Sequence, residues 1–335
     1  MTGPSEGAAA ICERLLGASV LRIERPGGAK RGSVRVFLKD RSVIATHRLK
    51  PERTRLEAEV LRTLGDQGAP VPQVIAFDGA WLIQEDLGVQ RLTQTLATVG
   101  EADGEVLLAN AIAGIAAAQQ AGRGSDLNRH LMVIGTQTDW LMTLATGATR
   151  LGQQLQSPAP ALPTDRLIEQ LRPRQPTFIK WDARPANAIA RPDASVAWFD
   201  WEHCGARHPL DDLVWLLCDE YIADRPDLEA RLIERFLPLF LNGLSPDAAH
   251  DYLMTFGALH CGMRLGLILR EKGAGPWWDL QQCLDQDNVG VTLDMAVRLC
   301  RRGARWAAQG SLTRDLKDWL EALPTRLERI EARAP

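Results

Sequence analysis

The sequence predicts an α+β chain in two lobes, a small antiparallel sheet followed by a larger, mainly helical part. Three observations carry this. Short apolar runs punctuated by Gly, Pro and Asp fill residues 19–85, the spacing of strands and turns. Alanine- and leucine-rich stretches with helical periodicity fill most of the remainder. At 335 residues the chain is also long for a single core. The division is placed at Gly88, giving residues 1–88 and 89–335, because glycine offers a pivot.

Residues 8–16 read as an opening helix and 19–25 as a strand. Pro26-Gly27-Gly28-Ala29-Lys30-Arg31-Gly32-Ser33 follows, then strands at 34–39 and Ser42–His47 around a turn at Asp40. Strand, glycine loop, strand lets backbone N–H groups cover phosphates, although plain hairpin turns share the pattern. From Arg22 to Arg55 there are eleven Lys or Arg against three acids, enough to draw in a polyphosphate or simply to solvate a hairpin face. Residues 54–64 place Leu56, Val60, Leu61 and Leu64 at helical spacing, with Glu57 and Glu59 beside them. Trp81 to Gly88 reads as a last strand and its exit. Helices are expected at 105–120, 258–270, 291–309 and 312–332, and a mobile loop at the proline-punctuated 154–163.

A net charge of −3 argues against a dedicated nucleic-acid binder. No apolar run approaches the ~20 residues of a membrane span, and the first residues lack a basic segment before an apolar one. The six cysteines are scattered, without a Cys-x-x-Cys pair. Reduced thiols, a cytoplasmic location and no membrane or nucleic-acid partner are the expectation.

The most informative stretch is Ile179-Lys180-Trp181-Asp182-Ala183-Arg184-Pro185-Ala186-Asn187, followed by Val196-Ala197-Trp198-Phe199-Asp200. Thr177–Ile179 and 196–199 read as strands of a hairpin that would gather Asp182, Asn187 and Asp200. One carboxylate and one amide oxygen suffice for Mg²⁺, which keeps waters and phosphate oxygens in its shell. Asp182 is then free to accept a proton from a hydroxyl. This is phosphoryl-transfer chemistry.

The segment resembles the catalytic loop and metal-binding strand of the aminoglycoside phosphotransferase and choline kinase-like family, whose loop reads His-Gly-Asp, four variable residues, then Asn. Arg207-His208-Pro209-Leu210-Asp211-Asp212-Leu213 is similar to the family's Asp-Pro-x-x-Asp-Leu segment. The resemblance implies a bilobal protein-kinase-like fold and an ATP-dependent transfer of the γ-phosphate to a hydroxyl of a small molecule. It implies Asp182 as the acceptor of the hydroxyl proton, Asn187 and Asp200 as Mg²⁺ ligands and Asp212 as the brace of the loop. It also implies Gly28, Lys30, Gly32 and Ser33 over the phosphates, and Glu85 and Leu87 as backbone contacts for adenine.

Two departures stand out. Lys180-Trp181 replaces His-Gly, so Lys180 is either a cation near the transferring phosphate or a surface ion pair. The third strand carries no lysine, so His47, Arg48 or Lys50 must stand in for it, with Glu57 as the helical partner. These departures leave a non-catalytic nucleotide-binding pseudokinase as the alternative. Arg184 either faces the cleft as a catalytic cation or pairs with a carboxylate such as Asp193. The acids Glu202, Asp211, Asp212, Asp219 and Glu220 are expected at a helix start and on its exposed face. Trp277-Trp278 with Asp279 could receive a cationic amine or serve as loop anchors.

Overall fold

The computed structural model describes residues 4–26, 32–285 and 289–331. Helix α1 (Pro4–Leu16) precedes strands β1 (Arg22–Glu24), β2 (Ser33–Phe37) and β3 (Ser42–His47), then α2 (Pro51–Asp66), β4 (Val74–Phe77) and β5 (Trp81–Glu85). The five strands form one antiparallel sheet in the order β1-β2-β3-β5-β4. There follow α3 (Leu92–Leu96), α4 (Glu101–Arg123), α5 (Leu127–His130), α6 (Thr138–Ala145), α7 (Gly147–Gln154) and α8 (Thr164–Leu171). Short strands β6 (Thr177–Ile179), β7 (Ala188–Ala190), β8 (Val196–Trp198) and β9 (Gly205–Arg207) carry the informative stretch. Helices α9 (Leu210–Leu217), α10 (Pro226–Phe236), α11 (Pro246–Lys272), α12 (Leu280–Asp285), α13 (Leu293–Gln309) and α14 (Leu316–Glu331) complete the chain. The α+β, two-part architecture expected from the sequence is the one found.

Alternation along the strands decides which residues meet the cleft. Val34, Val36, Val43, Ala45 and Ile83 pack on Ala8, Ile11 and Cys12 of α1. Their neighbours Arg35, Ile44, Thr46 and Gln84 line a cavity between the sheet and the helical part. Helix α2 starts at Pro51, where the missing N–H costs nothing, with Glu52 in its first turn. Its stripe Ala58, Leu61 and Leu64 joins the larger core, together with Leu107 and Ile112 of α4. Burying each such side chain contributes about 1.5–3 kcal/mol, so α2 ties sheet to helices.

Helix α11 is long and apolar enough to cross a membrane, contrary to the expectation that no such run exists. Most of it is buried, against α9 and α13 among others. A helix apolar on all sides is what the centre of a large core requires. A Cβ at Gly257 would lie 2.0 Å from the Trp306 ring, so only glycine lets α11 and α13 come this close.

The expected hairpin is corrected. Strand β6 pairs with β9, and β8 pairs with β7, giving two separate two-stranded sheets. Three-residue strands hold too few residues for a period to be read, so β7 and β9 left no signal. The span 154–163 is tied to α14: Trp319 Nε1 donates to the Ser157 carbonyl at 2.9 Å, and Arg326 donates to Leu155 and Gln156 carbonyls. All six cysteines are free and buried.

Candidate active site

The loop after β6 is held in an uncommon backbone shape. Trp181 and Asp182 take φ of +51° and +61°, and Asp200, after β8, takes +60°. Asp tolerates this region; a bulky side chain does so at a cost of order 1 kcal/mol or more. The compensation comes from Asp212 at the start of α9, fully buried. Its two oxygens accept the Lys180 and Trp181 backbone N–H groups at 2.8 Å each, and Gln119 Nε2 at 2.9 Å. Burial pushes its carboxyl up to about 6, although these three donors favour the charged form.

Asp182 and Asn187 are joined directly. Asn187 Nδ2 donates to Asp182 Oδ2 at 2.9 Å and to the Asp182 carbonyl at 3.0 Å. Pro185 opens the one-turn 3₁₀ segment between them, Pro185–Asn187. The Phe199 N–H donates to the Asn187 carbonyl at 3.0 Å, which brings Asp200 alongside.

Arg48, one residue past β3, is the cation that pairs with Glu57. Its guanidinium donates to Glu57 Oε2 at 2.9 and 2.6 Å and to Asp200 Oδ1 at 2.9 Å, and pairs with Glu202 at 2.5 Å. Burial works against its charge, but Glu57, Asp200 and Glu202 outweigh burial and raise its pKa. Burial also pushes the Glu57 carboxyl above its usual range, against the pull of Arg48. Asp200 goes the other way: burial opposes its charge, yet Arg48 and Lys180 hold its carboxyl below the ordinary value. His47 instead packs on Trp81, ring centroids 4.9 Å apart, and Lys50 stands at the N-cap position of α2 without a side-chain capping bond.

Lys180 is neither at the surface nor in the open cleft. It is fully buried; its Nζ donates to the Asp200 backbone carbonyl at 2.7 Å and lies 5.1 Å from the Trp201 ring centroid. Burial lowers its pKa, opposed by Asp200, Asp182 and Asp212. Arg184 pairs with Asp219 at 2.7 Å and Glu220 at 3.5 Å rather than with Asp193, which accepts from Ser195. Asp211, Asp212, Asp219 and Glu220 are all buried, so the expected exposed acidic face does not exist. Trp277 already faces Lys272, its ring centroid 5.2 Å from Nζ, and Asp279 caps α12 through the Gln281 N–H.

The cavity between sheet and helices measures about 510 Å³. Gly32, Ser33, Arg48, Glu57, Glu85 and Leu87 line it from one side, Asn187 and Asp200 from the other. Gly28 and Lys30 lie outside the described residues. A Cβ on Gly32 would stand 2.4 Å from the His47 carbonyl, so glycine is required there. Sequence reasoning missed Arg35, which donates to Asp86 at 2.6 and 3.0 Å and to the Gly88 carbonyl at 2.8 Å, fixing the exit of β5. Its place on the strand face shared with Thr46 was the available signal. Gln119, 93 residues from Asp212, left none.

A family model for the phosphotransferase enzyme family, APH, matches residues 17–250, which is more than half of the chain. The chain belongs to the APH family. No curated protein matches it in sequence. Among solved structures, an amicoumacin kinase determined with AMP-PNP and Ca²⁺ is 16% identical, with TM-score 0.56, covering 89% of this chain and 92% of that one. A Ralstonia eutropha JMP134 protein provisionally classed as an aminoglycoside phosphotransferase is 15% identical, with TM-score 0.53, covering 90% and 98%. A choline/ethanolamine kinase family protein from Mesorhizobium loti is 16% identical, with TM-score 0.51, covering 98% and 99%. At these identities the likeness is one of fold, the protein-kinase-like fold.

The APH-family site suits a hard divalent cation. Asn187 spends its amide N–H₂ on Asp182, which leaves its carbonyl oxygen as the unspent end. Asp200 has one oxygen on Arg48 and a quarter of its side chain exposed. No group of three or more His, Cys, Asp or Glu placed to hold a metal occurs among the described residues. Two oxygen donors beside an open cavity fit Mg²⁺, which dehydrates reluctantly and keeps waters or ligand oxygens in its shell.

Proposed function

We propose that this APH-family chain is a cytoplasmic ATP-dependent kinase that moves the γ-phosphate to a hydroxyl of a small molecule. The observation that carries this is that Asn187, hydrogen-bonded to Asp182, and Asp200 line one side of a cavity whose other side holds Arg48. Asp182 orients the acceptor hydroxyl and takes its proton as the oxygen–phosphorus bond forms and the bond to ADP breaks. Asn187 and Asp200 would hold Mg²⁺, which would supply charge neutralisation at the phosphate oxygens. Arg48 is the phosphate-side cation, with Glu57 aiming it as the family's glutamate aims a lysine. Lys180 acts as a positioning residue: it fixes the Asp200 backbone rather than touching phosphate. Arg184 likewise positions the loop from beneath. Glu85 and Leu87 offer backbone groups to adenine, Gly32 and Ser33 to the phosphates, and Gly88 is the pivot between lobes.

The same Arg48 favours a second reading, a non-catalytic nucleotide binder, because it already occupies an Asp200 oxygen. Product mass spectrometry with Mg·ATP and an alcohol panel decides between them. Asp182→Asn should abolish transfer while retaining nucleotide, and Asp200→Ala should abolish metal-dependent nucleotide binding. Nucleotide binding without turnover across the panel would give the site to the pseudokinase; unaltered Mg·ATP affinity in Asp200→Ala would defeat both.

A further inference from the structure

Beside Asp182 stands a row of indoles. Trp140 of α6, Trp181 and Trp215 of α9 are each partly exposed. Ring centroids are 5.6 Å apart for Trp140 and Trp181 and 5.4 Å for Trp181 and Trp215, and Trp215 meets His260 at 4.6 Å. Trp181 holds the position adjoining Asp182 at φ +51°, where glycine would be free of strain. Strained residues persist where their surroundings over-determine them, and they cluster at ligand clamps. A half-open aromatic wall adjoining the proton-accepting carboxylate is such a place.

Charge limits what the wall can receive. Arg207 is fully buried, with its guanidinium 4.9 Å from the Trp140 and 5.2 Å from the Trp181 ring centroid. Asp211 and the carbonyls of Ile134, Gly135 and Leu171 hold it there. The rings that would attract a cationic head group therefore already serve a fixed cation. The buried acids nearby are spent as well. Asp219 and Glu220 engage Arg184, Glu220 accepts Arg264 at 2.6 and 2.9 Å, and Asp211 accepts Tyr252 Oη at 2.7 Å. Burial pushes His260 down to about 3, so it adds no charge at neutral pH.

We propose that Trp140, Trp181 and Trp215 form the acceptor platform, and that the acceptor is an uncharged alcohol bearing a flat aromatic ring. The ring stacks on Trp181 and its hydroxyl reaches Asp182. The hydroxyl oxygen bonds to the γ-phosphorus, the bond from that phosphorus to ADP breaks, and the proton passes to Asp182 and then to water. This rests on the reading of Asp182 given above. It excludes polycationic aminoglycosides and quaternary amines as the preferred acceptors.

The test uses the full chain with 2-(2-naphthyl)ethanol, choline and kanamycin as probes. Binding is read by calorimetry without nucleotide, and transfer by product mass with Mg·ATP. The naphthyl alcohol should bind and be phosphorylated, and choline and kanamycin should do neither comparably. Trp181→Gly should weaken its binding and raise its KM about five- to ten-fold, the worth of one aromatic pair, with kcat altered less. Trp181→Phe should recover most of the loss, and melting curves show whether each variant is folded. Equal affinity in Trp181→Gly, or more efficient transfer to choline or kanamycin, would overturn the proposal. If the ring binds with this dependence on Trp181 and Mg·ATP also binds, yet no phosphate moves, the platform stands and the reading of Asp182 as a kinase residue falls.

Discussion

Replacing Arg48 by Met removes the one guanidinium shared by Glu57, Asp200 and Glu202, and the geometry sets the size of the effect. Glu57 is 2% exposed, so its carboxylate loses a partner at 2.6 Å with almost no water to replace it. Breaking a buried pair in this way costs about 3–5 kcal/mol. Asp200 and Glu202 are 25% and 19% exposed, and Lys180 still serves the Asp200 carbonyl. Their share is partly solvated and adds little, so a net loss of about 3–5 kcal/mol is expected. At roughly 2.1 cal/mol/K per residue the melting entropy is about 0.7 kcal/mol/K, so Tm should fall by about 4–7 °C if the chain melts in one step. Arg48→Lys keeps the charge but loses the planar fork, and should cost only about 1–2 kcal/mol. Scanning calorimetry gives both values, and titration with Mg·ATP gives the affinities, which should fall in the same order. If Arg48→Met melts with the wild type, or if Arg48→Lys falls as far as Arg48→Met, the shared-guanidinium account is refuted.

Further outcomes follow from neighbouring groups. Burial raises the Asp212 carboxyl from 3.8 to about 6, so the folded state binds that proton more tightly than the unfolded chain. Its contribution is full below pH ~4 and is lost as pH climbs towards ~6, up to about 3 kcal/mol. Urea denaturation of Asp212→Asn between pH 4 and 7 should therefore lack that slope, and a slope identical to the wild type would contradict it. Gly257→Ala drives a methyl into the Trp306 ring and should cost about 1–3 kcal/mol by the same measurement. Mg²⁺ and ATP should bind with positive coupling, seen as tighter Mg²⁺ binding in calorimetry once ATP is present, and additive binding would count against a contested Asp200.

The sheet and the long helices were legible because their patterns repeat within the element. Val34, Val36, Val43 and Ala45 alternate, and Leu56, Val60, Leu61 and Leu64 share a face. Asp182 and Asn187 were legible as neighbours because five residues of tight loop leave them few ways apart. What escaped depends on distance along the chain. Arg184 could reach several carboxylates, and only the packing of α9 against α11 decides for Asp219 and for Glu220, the latter shared with Arg264. Trp140, Trp181 and Trp215 lie far apart in the sequence, and nothing local says that they stand in one row.

The two cations around Asp200 explain how a chain without the strand lysine can still present a charged carboxylate to the cleft. Lys180, from the helical part, takes the backbone carbonyl of Asp200, while Arg48, from the sheet, takes its side chain. Together they outweigh burial and keep the acid ionised, which a hard metal requires. A single lysine in either place could not do both, since one ammonium cannot meet Glu57, Glu202 and both ends of Asp200. The arrangement has a consequence for order. Four of the five N–H groups of Arg48 face carboxylates, so a phosphate can meet the guanidinium through one N–H and gains more of it only as a carboxylate lets go. Glu57 is the most buried of the three and the least able to stand alone, so the contact to yield is with Asp200 or Glu202. In the proposed site a metal held by Asp200 would compete for the oxygen that Arg48 contacts, and would so release part of the guanidinium.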